Sequence, residues 1–319
     1  MLQLTRLGFT LAAVSNCWVM LFLAVSLEPE SRLNEDLSRW SLGLLLLFAA
    51  AVAAGLHGYG AALNDLLDVR RDRLLHPRRP LPSGRLSVQQ AVGIAVLCLL
   101  VAILAAVAMG TGPVLVCLLT AAGILFYNLT GKHLPATGIV MLGLIRMVGM
   151  FIPNPQLGFA WPVVLAMTHT TFAAAVVYRL EDKRPRLRPS ERGGIFAGWA
   201  FWTLVLLGWM SVFDGMNLPN EPLVWVGPAV AAAIFAAGSW AFLYRAQRRP
   251  GGRTALAGYY ARGSTAWLVA YDATWLLSSG QWWPGILHLA LLATACASVL
   301  AYRPGQDEGR DELPYVVST

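Results

Sequence analysis

Between Asn64 and Asp72 the chain reads NDLLDVRRD, and its three aspartates, Asp65, Asp68 and Asp72, fall at i, i+3 and i+7. On a helix such positions share a face, and Asn64 lies one turn before Asp68. Carboxylates stacked this closely repel one another unless something positive sits between them. Hard divalent cations take oxygen ligands, and Mg²⁺ is typically held by a few carboxylates together with the phosphate oxygens of a substrate. The same stretch carries Arg71, Arg73, Arg78 and Arg79, whose guanidinium forks suit phosphate oxygens. Acids for a metal beside bases for an anion outline a Mg²⁺–diphosphate site. Its expected metal ligands are Asn64, Asp68 and Asp72, with Asp65 beside them. A solvated basic loop would explain the arginines but not acids at helical spacing.

Apolar sequence surrounds this charged rim. The 319 residues are 57% hydrophobic and only 13% charged, with a mean hydropathy of +0.58. A soluble domain carries about 25% charged residues. Apolar runs near 8–27, 41–63, 90–109, 112–128, 136–152, 161–178, 195–213 and 223–244 are followed by two more at 264–279 and 283–302. Most approach the roughly 20 residues that cross a bilayer core. The expected fold is all-α, a polytopic membrane bundle of nine or ten transmembrane helices. It forms one domain over residues 1–302, with a polar tail over 303–319. The first run is too long for a signal-peptide core and reads as span one. Whether there are nine or ten spans turns on 264–279, and the short uncharged turn from Gly280 to Trp282 favours ten. Trp40, Trp161, Trp225 and Trp283 sit at run edges, where an indole favours the headgroup region.

A net charge of +7 and a pI near 9.5 would suit nucleic acid, but in a membrane chain they report orientation. Nineteen Lys and Arg lie before span one or in alternate loops, against Arg32 and Arg39 in the opposite ones. The excess places the N-terminus and the Asn64–Asp72 motif in the cytoplasm, at the inner membrane if the source is bacterial. Nucleic acid is not an expected partner. Cys17, Cys98, Cys117 and Cys296 have no CxxC spacing and read as packing residues.

With these residues in place, the chain resembles the UbiA superfamily of intramembrane prenyltransferases. That superfamily has an NDxxDxxxD motif after its second helix and RPLxxG just beyond. Asn64, Asp65, Asp68 and Asp72 fill every fixed position of the first, and Arg79, Pro80, Leu81 and Gly84 those of the second. His76 stands where many members have arginine. FYNLTGKHLP, Phe126 to Pro135, is similar to the loop after helix four, which would put Tyr127 and Lys132 near the phosphates. By helix spacing the resemblance reaches about residue 280, leaving 283–302 as an extra helix.

The second acidic motif departs from the superfamily, which usually has a tyrosine followed by DxxxD after helix six. Here YRLEDKRPR keeps Tyr178 and Asp182, while the later acid is replaced by Arg186 and Glu181 is a spare carboxylate. The resemblance adds Asp182 to the metal ligands, and the overall pattern is similar to the divergent EboC-like branch. It implies Mg²⁺-dependent transfer of a prenyl group from an allylic prenyl diphosphate to an aromatic, quinone-precursor or lipid-like acceptor. Arg73, Arg79, Tyr127, Lys132, Arg146 and Tyr178 would bind substrate. The partners are the prenyl diphosphate, a hydrophobic acceptor in the bilayer and membrane lipids. The altered motif leaves open a catalytically reduced member that binds or transports an isoprenoid or pigment precursor. A phosphatidyl-alcohol transferase would need DGxxAR, which the chain lacks.

Several polar residues fall inside apolar runs. Arg146 is costly in a bilayer and expected to face a cavity, with phosphate its partner, or to snorkel to the rim. Asn16, His57 and Tyr59 are candidates for lining that cavity, more simply for bonding helix to helix. His169 and His288 lack metal-ligand spacing and read as structural. Asp272 is expected to pair with Arg262 or Arg253.

Overall fold

A computed structural model describes residues 4–27, 38–75, 77–181, 183, 185–212, 223–247 and 253–301. Among these residues there are eleven α-helices and no strand: α1 Leu4–Leu27, α2 Leu42–Leu67, α3 Val69–Leu75, α4 Val88–Met109, α5 Thr111–Leu129, α6 Pro135–Met150, α7 Trp161–Leu180, α8 Pro189–Val212, α9 Leu223–Gln247, α10 Arg253–Ser278 and α11 Trp282–Leu300. Ten of them are long and correspond to the ten apolar runs; α3 is a seven-residue extension of α2. Asp182, His76 and the 303–319 tail lie outside the described residues.

Local chemistry sets the helix limits. Ser41 begins α2, its hydroxyl accepting from the Leu44 amide. At α4, Ser87 Oγ accepts from the Gln90 amide at 3.1 Å while the Gln90 side chain accepts from the Ser87 amide at 2.9 Å. This reciprocal pair satisfies two amides that a helix start would otherwise leave unpaired. One residue, Gly110, separates α4 from α5 at φ 120°, and Gly280 ends α10 at φ 77°. Side chains with a Cβ rarely adopt those angles.

Among the described residues, eight helices are long and apolar enough to cross a membrane; α6, at 16 residues, is shorter. It rises only about 24 Å, against a hydrocarbon core of about 30 Å. The non-helical stretch after it, through Ile152, Leu157, Phe159 and Ala160, is buried in protein, the condition under which irregular backbone is tolerated at membrane depth. The tenth helix, α10, is longer than its apolar run suggests, because Arg253, Arg262 and Asp272 interrupt its hydropathy. It is no interfacial helix: Leu268, Val269, Tyr271, Asp272, Trp275 and Leu276 are all buried, and it packs on α1, α7, α9 and α11.

Two apolar cores meet along α1. One joins α1 to α6–α10 through Met20, Leu23, Met150, Met167, Met210 and Leu276. The other joins α1 to α2, α4 and α5 through Leu21, Ala49, Val52, Ala102, Met109 and Cys117. Small residues bring α2 and α4 together: a Cβ on Gly55 would stand 2.6 Å from the Cys98 carbonyl oxygen. Where lipid replaces water, such close packing substitutes for the hydrophobic effect between helices.

Candidate active site

Between the two cores lies a cavity of about 520 Å³, walled by α1, α2, α5, α6 and α7. Asn64 and Tyr127 line it toward one end, where α2 and α5 finish, and Ile152 lines it beyond the end of α6. Most of the wall is apolar, including Phe9, Leu56, Ile124, Leu142 and Ile145. Asn16, His57 and Arg146 interrupt it, as their sequence positions suggested, whereas Tyr59 is buried in the α2 core instead.

The acidic motif stands at the Asn64 end. α2 stops at Leu67 and α3 starts at Val69, so Asp68 occupies a one-residue joint with φ −90° and ψ 1°. The four-residue hydrogen-bond step nevertheless continues through it, from Asp68 N to Asn64 O at 3.0 Å and from Asp72 N to Asp68 O at 2.8 Å. Asn64, Asp68 and Asp72 therefore keep their helical succession. Lys132 donates to Asp68 Oδ1 at 2.7 Å, bringing the loop after α5 onto the end of α2. Arg79 donates to Asp72 Oδ2 at 2.7 Å, so the RPLPSG segment folds back on the motif it follows. Asp72 is buried, at 4% exposure. Tyr127 is within electrostatic reach of both Asp68 and Glu181.

The second half of the site is less acidic. Glu181 is held by Lys183 at 2.6 Å, and the Tyr178 hydroxyl donates to the Pro185 carbonyl at 2.7 Å. Asp65 is half-buried, and Arg73 is exposed on α3.

A polar chain crosses the bundle beside the cavity. Arg146 donates to Asn16 Oδ1 at 3.2 Å, and Asn16 Nδ2 donates to Asp272 Oδ2 at 2.7 Å. Ser15 donates to the same carboxylate oxygen at 2.6 Å. Asp272, expected to pair with Arg262 or Arg253, is bonded from α1, while Arg262 donates to the Gly258 carbonyl at 3.1 Å; the Arg253 side chain lies outside the described residues. Asp272 lies in the half of α10 that packs on α1, whereas both arginines lie toward its start. His169 is satisfied by Tyr271 and the Ser264 carbonyl, and His288 by two backbone carbonyls. Neither serves the cavity.

Two cavity residues escaped the sequence reading. Asn128 donates to the Ile124 carbonyl at 2.9 Å but its buried Oδ1 has no partner, and Thr170 Oγ1 is likewise buried and unpartnered. An isolated asparagine or threonine in an apolar helix gives no spacing from which a site could be inferred.

Residues 17–189 match the model of the UbiA prenyltransferase family. The chain belongs to the UbiA prenyltransferase family. This family match covers the end of α1, all of α2 to α7 and both acidic segments. A digeranylgeranylglyceryl phosphate synthase from Saccharolobus solfataricus is 31% identical over 102 residues, which cover 32% of this chain and 35% of that enzyme. The chain thus matches about a third of that relative's length. A solved structure described as digeranylgeranylglyceryl phosphate synthase in membranes aligns over 87% of this chain and 99% of its own, at 14% identity and a TM-score of 0.51; this likeness speaks to the fold. A UbiA homologue from Archaeoglobus fulgidus bound to GPP and Mg²⁺ aligns at 13% identity over 93% of this chain and 99% of its own, with a TM-score of 0.43.

Among the described residues, no three His, Cys, Asp or Glu side chains form a ready metal cage. The oxygens at Asn64, Asp68 and Asp72 nevertheless fit Mg²⁺ as a donor set. Lys132 and Arg79 each hold one named oxygen of their aspartate, and a carboxylate has a second to offer. Such a set suits a cation that completes its shell with substrate oxygens and water.

Proposed function

We propose that this UbiA-family chain transfers a prenyl group, within the membrane, from an allylic prenyl diphosphate to a hydrophobic acceptor. The observation that carries the reading is an apolar cavity with acids and bases together at one end. The prenyl tail lies along the cavity wall and the diphosphate sits at the Asn64 end. Asn64, Asp68 and Asp72, with Asp182, hold Mg²⁺, which when bound neutralises the diphosphate and eases its departure. Lys132 and Arg79 stabilise the leaving charge by donating to diphosphate oxygens, and Tyr127 borders the same end. Such donors act most strongly where water is excluded.

In the reaction the bond between the allylic carbon and the diphosphate oxygen breaks, and its electron pair leaves with the diphosphate. The acceptor nucleophile forms the new bond to that carbon, and its displaced proton passes to water or to the released diphosphate. The apolar wall keeps water from intercepting the allylic cation. The charge asymmetry of the loops sets this end in the cytoplasm, with residues 1–302 as one membrane domain and 303–319 as its tail.

A second reading, a member that binds or carries an isoprenoid without turning it over, draws support from the second acidic segment. There Glu181 is neutralised by Lys183 and Arg186 stands in place of an acid. Both readings share the donor site, which equilibrium binding of geranylgeranyl diphosphate to the protein in nanodiscs tests. Binding should need Mg²⁺ and weaken at least tenfold in Asp68→Ala; Mg²⁺-independent binding, equal in the variant, would overturn the site.

A further inference from the structure

The cavity is closed at the end away from Asn64. We infer that Gly149 and Thr120 form a length gate for the donor tail, with Ile152 as the floor behind it, so that the cavity seats tails of up to four isoprene units. The inference rests on the transferase reading and names the donor class of that site.

The closure is visible on every wall. Moving away from Asn64, α1 last lines the cavity at Cys17, α2 at Ala53 and α5 at Thr120. About one turn farther on stand Leu21, Ala49 and Cys117, and after α6 Ile152, all at 1% exposure or less. These four residues belong to one packed core, and an interior at that density has no room for a tail.

Helix rise converts these positions into a length. From Asp68 to Ala53 is fifteen residues of near-continuous helix, about 22 Å at the usual rise. Four carbon–carbon bonds of about 1.5 Å carry an extended isoprene unit roughly 5 Å. A diphosphate held beside Asp68 therefore leaves depth for four units. A six-unit tail, at roughly 30 Å, overruns the floor.

Gly149 stands part-way along this path. Tyr127, at the diphosphate end, precedes the gate by the seven residues back to Thr120, about 10 Å or two isoprene units. Cys17 brings α1 close, its Sγ donating to the Gly149 carbonyl at 3.6 Å. Thr120 bonds its hydroxyl back to the Val116 carbonyl, and its methyl is the atom nearest a Cβ built on Gly149, at 3.7 Å. That is ordinary van der Waals contact. Gly143, on the same helix, differs: a Cβ there would collide with Thr171 Oγ1, so Gly143 serves helix packing. The missing side chain at Gly149 instead leaves space between two cavity walls. A side chain placed there narrows the passage beyond the second unit without forcing helices apart.

The test measures Kd for geranyl, geranylgeranyl and hexaprenyl diphosphates, of two, four and six units. It uses the full-length protein in nanodiscs with Mg²⁺, at matched concentrations in the lipid phase because longer tails partition more strongly. The wild type should hold the six-unit donor roughly tenfold or more weaker than the four-unit donor. Gly149→Val should weaken the four-unit donor by roughly tenfold or more and leave the two-unit donor within about twofold. Gly149→Ala, which adds one methyl, should show the same selectivity at smaller size, and supplies the comparison if the larger side chain disturbs folding. Equal wild-type affinity for four and six units would mean that the tail leaves the cavity sideways, and would overturn the inference. Losses that ignore tail length in both Gly149 variants, or no loss in either, would overturn it too. Mg²⁺-dependent binding of geranyl diphosphate reports the diphosphate end, which lies short of the gate. If the wild type shows that binding, failure falls on the gate alone; if it does not, the donor reading fails first and the gate falls with it.

Discussion

Lys132 Nζ stands 2.7 Å from Asp68 Oδ1, across 64 positions of sequence. The contact clamps the loop after α5 onto the joint between α2 and α3. On the proposed reading it places a compact charge where a diphosphate oxygen and a metal ligand would meet. Both side chains are largely buried, at 13% and 19% exposure, so the pair is not a surface ornament.

Lys132→Ala should therefore have two separable effects. It leaves Asp68 without its cation, which should lower stability by about 1–3 kcal/mol. Mg²⁺ should restore part of that loss by replacing the missing charge. Donor affinity should fall by roughly 10–100-fold, the worth of a charged hydrogen bond to phosphate. Thermal unfolding with and without Mg²⁺, beside donor titration, checks both effects. A variant whose melting is indifferent to Mg²⁺ would remove Asp68 from the metal site.

Arg79 and Asp72 should respond unequally to substitution. The Asp72 side chain is 5% exposed and that of Arg79 33%, so the carboxylate is the group that cannot be left alone. Arg79→Ala strands it and should cost about 2–4 kcal/mol. Asp72→Asn leaves an amide oxygen for Arg79 and should cost less than half as much. Chemical unfolding of the two variants in one detergent checks the order, and equal losses would contradict it.

Close helix packing makes a prediction independent of the site. A Cβ at Gly55 would collide with the backbone at Cys98 and with Ala102, whereas one at Gly93 meets nothing within 4 Å. Gly55→Ala should destabilise by about 1–3 kcal/mol through overpacking. Gly93→Ala should be neutral or slightly stabilising, because alanine loses less backbone freedom in a helix. Paired melting curves measure the difference. Similar curves would mean that α2 and α4 do not approach closely there.

The ten long helices were legible because each carries an apolar run, and the acidic motif at the end of α2 because its acids repeat at helical spacing. Arg79 and Lys132 were legible as candidates but not as partners of Asp72 and Asp68, since pairing depends on how loops fold back. Asp272 was noticed as a buried charge and assigned to arginines on its own helix. Its partners, Ser15 and Asn16, lie more than 250 residues away, a separation that no local pattern reports. Asn128 and Thr170 were missed for a related reason. An unmatched amide oxygen becomes informative only when its surroundings are known. The short α6 and the buried irregular stretch after it were also hidden, because both are apolar.

The most direct measurement is diphosphate release from geranylgeranyl diphosphate by the purified protein in lipid, supplied with a host membrane extract. Mg²⁺ should be required, the extract should be required, and Asp68→Ala should reduce release by at least a hundredfold. Release at equal rates from wild type and Asp68→Ala would contradict the account. No release despite Mg²⁺-dependent donor binding would contradict turnover and leave the chain as an isoprenoid-binding member of its family.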